Sequence, residues 1–106
     1  MSGCYPAKTG IVSNDFFDRN LGKRCYCVQN PEDVDSVKAE DGRSAALMRK
    51  GTVGDFLRDY SPKSKVMSIG LKDRAGILMG GHSAQTVLWY DETVNAFTTA
   101  KPYIYP

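Results

Sequence analysis

No stretch of these 106 residues approaches the ~18 consecutive apolar positions that a membrane-crossing helix needs. The opening "MSGCYPAKTG" carries neither a basic segment nor an apolar one behind it, so no signal peptide is expected. An excess of one charge is missing too: 14 cations against 12 anions leave +2, too little for a broadly basic, nucleic-acid-binding surface. Any preference for an anion has to be local. Cysteine is scarce; three cannot all pair within the chain, and Cys25 and Cys27 stand two apart, a spacing that suits neither an unstrained disulfide nor the usual zinc sites. The one histidine, His82, has no companion ligands beside it and reads as a surface or hydrogen-bonded residue. Glycine-rich phosphate loops and a GxSxG elbow are absent, and Asp15, Asp18, Asp55, Asp59 and Asp91 are scattered, so no nucleophile–base pair and no metal site are visible.

What is present is ordinary globular composition, 42% hydrophobic and 25% charged, without repeats. A chain of this length amounts to one domain or less and buries about 60% of its unfolded surface. The expected fold class is α/β. "GCYPAKTGIVSNDFFDRN" reads as loops bracketing a brief strand or turn at Ile11-Val12, with Phe16 and Phe17 in packing roles. "RCYCV" is strand-like, both thiols on one face because alternate residues share a face. The acidic, proline-initiated 31–44 segment, short of large apolar residues, is expected to be a surface loop.

In "TVGDFLRDY", Val53, Phe56, Leu57 and Tyr60 recur at i, i+3, i+4 and i+7, the spacing of one helix face, and Thr52 and Asp55 have capping-box spacing. The "SPK" that follows ends the helix. "KVMSIGL" reads as a short buried strand, "DRAGILMGG" as a two-turn helix with Asp73 as its cap and Gly80-Gly81 as its stop, and "TVLWYD" as a second strand. "NAFTTAKPYIYP" is extended, an edge or tail. This order predicts a short parallel or mixed sheet with flanking helices.

Ligands of open α/β sheets gather beyond the carboxyl ends of strands, where "SIGLKDRAG" places Lys72 and Arg74. Two readings stand side by side. In an extended segment, residues two apart emerge on the same side, so the pair converges on one anion, phosphate being the natural guess: arginine as a fork, lysine as a point charge. Alternatively they are solvent-facing charges flanking the Asp73 cap.

Longer motifs bear on that choice. "GCYPAKTGIVSNDFFDR" is similar to TG-x-x-P-x-x-HGIV-x-N-x-x-x-D, and "SIGLKDRAGILMGGHSAQTVLWYD" to S-x-S-x-KDRAAIL-x-x-G-x-x-A-D-x-x-x-W-x-D, both from the alkaline phosphatase superfamily. "TVGDFL" resembles the helix between them. The chain thus resembles an internal stretch of zinc phosphatases related to type I phosphodiesterases and nucleotide pyrophosphatases. That resemblance implies a partial alkaline-phosphatase-like domain covering 1–106. It implies that Asn14 donates its side-chain amide to a phosphoryl oxygen and that Lys72 and Arg74 contact the transferred phosphoryl group, in a phosphate ester or in phosphate. Donors fixed on the equatorial oxygens are the main contribution a protein makes to phosphoryl transfer. A lysine with an arginine favours monoesters, which carry one more negative charge than diesters.

By the same resemblance the threonine nucleophile and the ligands of two zinc ions lie before and after this stretch, so no catalytic residue and no metal ligand is expected within it. Enzymes of this kind usually act in the periplasm or outside the cell. Thr9, Gly70 and Gln85 depart from the pattern, standing where histidine, serine and aspartate are usual. The alternative is a non-enzymatic small α/β binding or interaction module. Part of a larger fold would expose apolar patches, and these favour homo-oligomers.

Overall fold

The computed structural model describes residues 2–20, 22–29, 43–100 and 103. The segment read as an acidic loop, 31–44, lies outside the described residues except for Arg43 and Ser44, which close it. Ser44 is buried, and Arg43 pairs with Gln29 in an isolated antiparallel bridge.

Ile11-Val12, expected as a brief strand or turn, carries no regular structure, and the chain opens instead with a single helical turn, α1 (Pro6–Thr9). Pro6 suits a first helical position, where its missing N–H costs nothing, and Gly10 closes the turn, its N–H bonded to Pro6 O at 2.9 Å. The strand comes later: β1 (Asp15–Asp18) pairs antiparallel with β2 (Lys23–Tyr26), Phe16 opposite Cys25 and Phe17 opposite Arg24. Cross-strand pairing overrides the turn-forming preference of Asn14-Asp15. Phe16 packs against the core, whereas Phe17 faces solvent. Cys25 and Cys27 are both buried free thiols, as the alternation predicts, although Cys27 lies just past the strand end.

The main sheet is three-stranded and mixed, as expected. Strand β3 (Met67–Gly70) runs parallel to β4 (Thr86–Asp91), and β4 is antiparallel to β5 (Ala96–Thr98). Helix α3 (Asp73–Gly80) connects β3 to β4 and packs on both. Gly70 allows this close approach, because a Cβ there would meet Gly76 N at 2.8 Å. The core lies beneath α3, where Ile77, Val28 and Val87 are fully buried with Trp89, Cys27, Met48 and Ala100 beside them.

Helix α2 (Val53–Tyr60) starts and stops where the sequence predicts, and Asp55 Oδ2 accepts the Thr52 N–H at 2.9 Å. Its orientation differs from expectation. Gly54 and Asp55 are buried, while Val53, Phe56, Leu57 and Tyr60 form an exposed apolar face. Likewise β3 is covered on one side only: Met67 and Ile69, expected to be buried, are exposed. Periodicity shows that such an element is two-faced; it does not supply the neighbour that covers the apolar face. No helix among the described residues is long and apolar enough to cross a membrane.

Candidate phosphoryl-binding site

Lys72 and Arg74 stand just beyond the carboxyl end of β3, where α3 begins. The helix starts at Asp73, so the pair does not share an extended segment. Lys72 is the extended N-cap, and Arg74 is already the second helical residue. Their side chains take different partners. Lys72 Nζ lies 3.1 Å from Glu92 Oε1, both largely exposed, on the rim of an open cavity of about 260 Å3 also lined by Arg43, Asp73, Trp89 and Asp91. Arg74 Nη1 donates to Tyr26 Oη at 3.2 Å, outside that lining.

Tyr26 belongs to the β1–β2 hairpin, and so brings in Asn14. The next residue, Cys27, donates its N–H to the carbonyl of Asn14 at 2.8 Å. Asn14 and Arg74, distant in sequence, are therefore connected between the hairpin and the start of α3: the Asn14 carbonyl accepts the Cys27 N–H, and the neighbouring Tyr26 phenol accepts from Arg74. The Asn14 side chain is exposed and makes no hydrogen bond among the described residues. Of the three residues singled out in the sequence, Arg74 and Asn14 are linked in this way, while Lys72 turns toward Glu92.

Asp73 is not a side-chain cap; it is the first helical residue, and its carboxylate serves other donors. Oδ1 accepts Tyr26 Oη–H and the Arg74 N–H, each at 2.8 Å, and Oδ2 accepts Arg43 Nε–H at 3.1 Å. The Arg43 guanidinium also lies over the Tyr26 ring, 4.9 Å from its centroid. Burial pushes the Tyr26 phenol up; the Arg74 hydrogen bond opposes that shift and Asp73 adds to it. The phenol therefore keeps its proton at neutral pH. Burial likewise raises the Cys27 thiol against the pull of Arg74.

Sequence reading missed Tyr26 and Arg43. Tyr26 could have been found, because it points away from the face that buries Cys25 and Cys27; Arg43 lay at the end of a presumed loop. The departures from the motif have local roles. Thr9 Oγ1 accepts the Ile11 N–H at 3.3 Å, and Gln85 closes the 64–66 turn by accepting the Val66 N–H at 2.7 Å and donating to Ser64 O at 3.2 Å. His82 Nε2 lies 2.7 Å from Met48 O and 3.0 Å from Ala45 O, a hydrogen-bonded residue as expected. Among the described residues no three His, Cys, Asp or Glu side chains gather into a set that could hold a metal ion.

The site and the sheet define a class. The sequence pattern of the type I phosphodiesterase / nucleotide pyrophosphatase family matches residues 1–105, and the chain belongs to that family, within the alkaline phosphatase superfamily. Among its relatives is the alkaline phosphatase PhoV of Synechococcus elongatus, 38% identical over 106 residues, covering 97% of this chain and 19% of PhoV. The crystal structure of wild-type alkaline phosphatase PafA matches with a TM-score of 0.85 at 33% identity, over 98% of this chain and 21% of that one. A PafA variant, substituted at a threonine, an asparagine, a lysine and an arginine, matches with a TM-score of 0.87 at 30% identity, again over 98% and 21%. The chain therefore spans about one fifth of the length of these relatives, a partial domain of their fold.

Proposed function

We propose that this chain forms the phosphoryl-binding part of a phosphate ester hydrolase, acting on monoesters in preference to diesters. Asn14, Lys72 and Arg74 hold the phosphoryl oxygens. Lysine and arginine supply fixed positive charge toward the equatorial oxygens, where transition-state charge accumulates, and the asparagine amide donates a neutral hydrogen bond. The observation that carries the reading is the connection from Asn14 O through the neighbouring residues Cys27 and Tyr26 to Arg74, which sets the hairpin beside the strand end. The substituted PafA supports it: the lysine and arginine changed there are two positions apart, as Lys72 and Arg74 are, and an asparagine precedes them.

The whole enzyme would use a threonine nucleophile and two zinc ions held by residues outside this stretch. The described residues offer no group of three His, Cys, Asp or Glu side chains to hold them. This chain binds and orients the phosphoryl group. A second reading, a non-enzymatic binding module, draws on one observation, the Lys72–Glu92 ion pair, which occupies the lysine with a local carboxylate. An exposed pair of this kind is worth little and yields readily to a phosphate dianion.

Isothermal titration of the chain with inorganic phosphate tests the proposal. Arg74→Ala and Lys72→Ala should each weaken binding by about tenfold or more, the size of a lost charge-assisted hydrogen bond. Equal affinities in wild type and both variants would overturn it.

A further inference from the structure

Resting on that reading, we propose that Tyr26 is a positioning residue, a neutral hydrogen-bond acceptor that aims the Arg74 guanidinium while leaving its positive charge unspent for the phosphoryl group. The directions of the bonds follow from what each group can do. The Asp73 carboxylate only accepts, and it takes the phenolic proton of Tyr26 at 2.8 Å. The guanidinium only donates, and it donates to the oxygen lone pairs that remain, at 3.2 Å. Tyr26 can serve both only in this arrangement, so Asp73 sets the rotation of the phenol and the phenol fixes the arginine.

The charges are sorted in the same step. Asp73 forms its ion pair with Arg43, through Oδ2 at 3.1 Å, and receives only the backbone N–H of Arg74. Arg43 in turn covers the Tyr26 ring. The carboxylate adjacent to Arg74 is thus committed to another cation, and the side chain that touches Arg74 carries no charge. A carboxylate in the position of Tyr26 would hold the arginine as firmly but would neutralise it. The half-buried phenol, with its ionisation shifted upward, remains protonated in this role. Tyr26 also ties Arg74 to the hairpin that carries Asn14, since Cys27 is bonded to the Asn14 carbonyl.

Tyr26→Phe removes both hydrogen bonds and keeps the ring beneath Arg43. In the full chain, side-chain 15N relaxation at Arg74 Nε should report increased motion while the backbone amide spectrum elsewhere is retained. Affinity for inorganic phosphate should fall about fivefold, the size of one hydrogen bond, and adding Arg74→Ala should cost less than it does in the wild type. Should Tyr26→Phe fail to fold, Asp73→Asn serves: its amide can donate to Oη and compete with Arg74, so Arg74 motion and phosphate affinity move in the same directions. Unchanged Arg74 relaxation, or loosened Arg74 with unchanged phosphate affinity, would overturn the role of Tyr26. The reading beneath it fails separately, if Arg74→Ala alone binds phosphate like the wild type.

Discussion

Asp55 and Phe56 are consecutive residues of α2, yet Asp55 is 7% exposed and Phe56 62% exposed. The usual order of burial is inverted. Asp55 is drawn inward by three backbone donors, Thr52 N at 2.9 Å, His82 N at 3.1 Å and Ser83 N at 2.7 Å, the last two tying α2 to the turn between α3 and β4. With Gly54 and Asp55 on the inner side, geometry places Phe56, Leu57 and Tyr60 outward.

The exposed face of α2 should drive self-association. Sedimentation velocity at rising concentration is expected to show oligomers that Phe56→Glu weakens. The same substitution should alter unfolding free energy by no more than about 0.5 kcal/mol, whereas Ile77→Ala, in the core, should cost roughly 2–5 kcal/mol. A Phe56→Glu chain as unstable as Ile77→Ala would show that this face is packed.

Asp55 supplies stability that depends on its charge. Burial pushes its carboxyl up, but the N–H groups of Thr52, His82 and Ser83 outweigh that and hold it below the usual carboxylate range. A group whose folded pKa is depressed stabilises fully above its unfolded value, near ~4, and loses that contribution as pH falls through the folded one. Asp55→Asn should therefore cost about 2–4 kcal/mol at pH 7, and in denaturant titrations the gap to wild type should begin to narrow below about pH 4 and close as pH falls through the lower folded value. A gap independent of pH would contradict the assignment.

Gly81 lies against the same carboxylate at φ 78°, and a Cβ there would fall 2.3 Å from Asp55 Oδ2 and 2.5 Å from Thr52 Oγ1. Gly81→Ala combines backbone strain with a clash and is expected to destabilise by about 3 kcal/mol or more, lowering Tm by roughly 10 °C or more. A thermal scan that matches wild type would rule out this packing.

If Lys72 binds the phosphoryl group as proposed, Glu92, which holds Lys72 Nζ at 3.1 Å, competes with phosphate for it. Glu92→Gln should leave stability within about 0.5 kcal/mol, because the pair is exposed, and tighten phosphate binding by a few fold. Weaker binding in Glu92→Gln would mean that the carboxylate orients Lys72 for the ligand.

The elements with a local signature were legible. The Thr52/Asp55 capping spacing located α2, and the β3–α3–β4 unit with Lys72 and Arg74 at its strand end followed from the change in residue pattern along the chain. Features made by distant contacts were not. Tyr26 meets Asp73 across 47 positions and Arg74 across 48, and no local periodicity encodes such bonds. The same applies to the outward face of α2 and to β1, whose existence depends on its partner β2. Asp73 looked like a cap because a helix start attracts carboxylates; its actual partners, Tyr26 and Arg43, come from elsewhere in the chain.

The central claim is that Asn14, Lys72 and Arg74 bind one phosphoryl group. Titrating the 15N-labelled chain with inorganic phosphate while following the Asn14 side-chain amide, the Lys72 amide and Arg74 Nε tests it most directly. The account predicts that all three signals shift along a single saturation curve, and that Arg74→Ala displaces the curve for the other two to higher phosphate. Shifts that saturate at different concentrations, or that leave Asn14 and Arg74 unmoved, would contradict it.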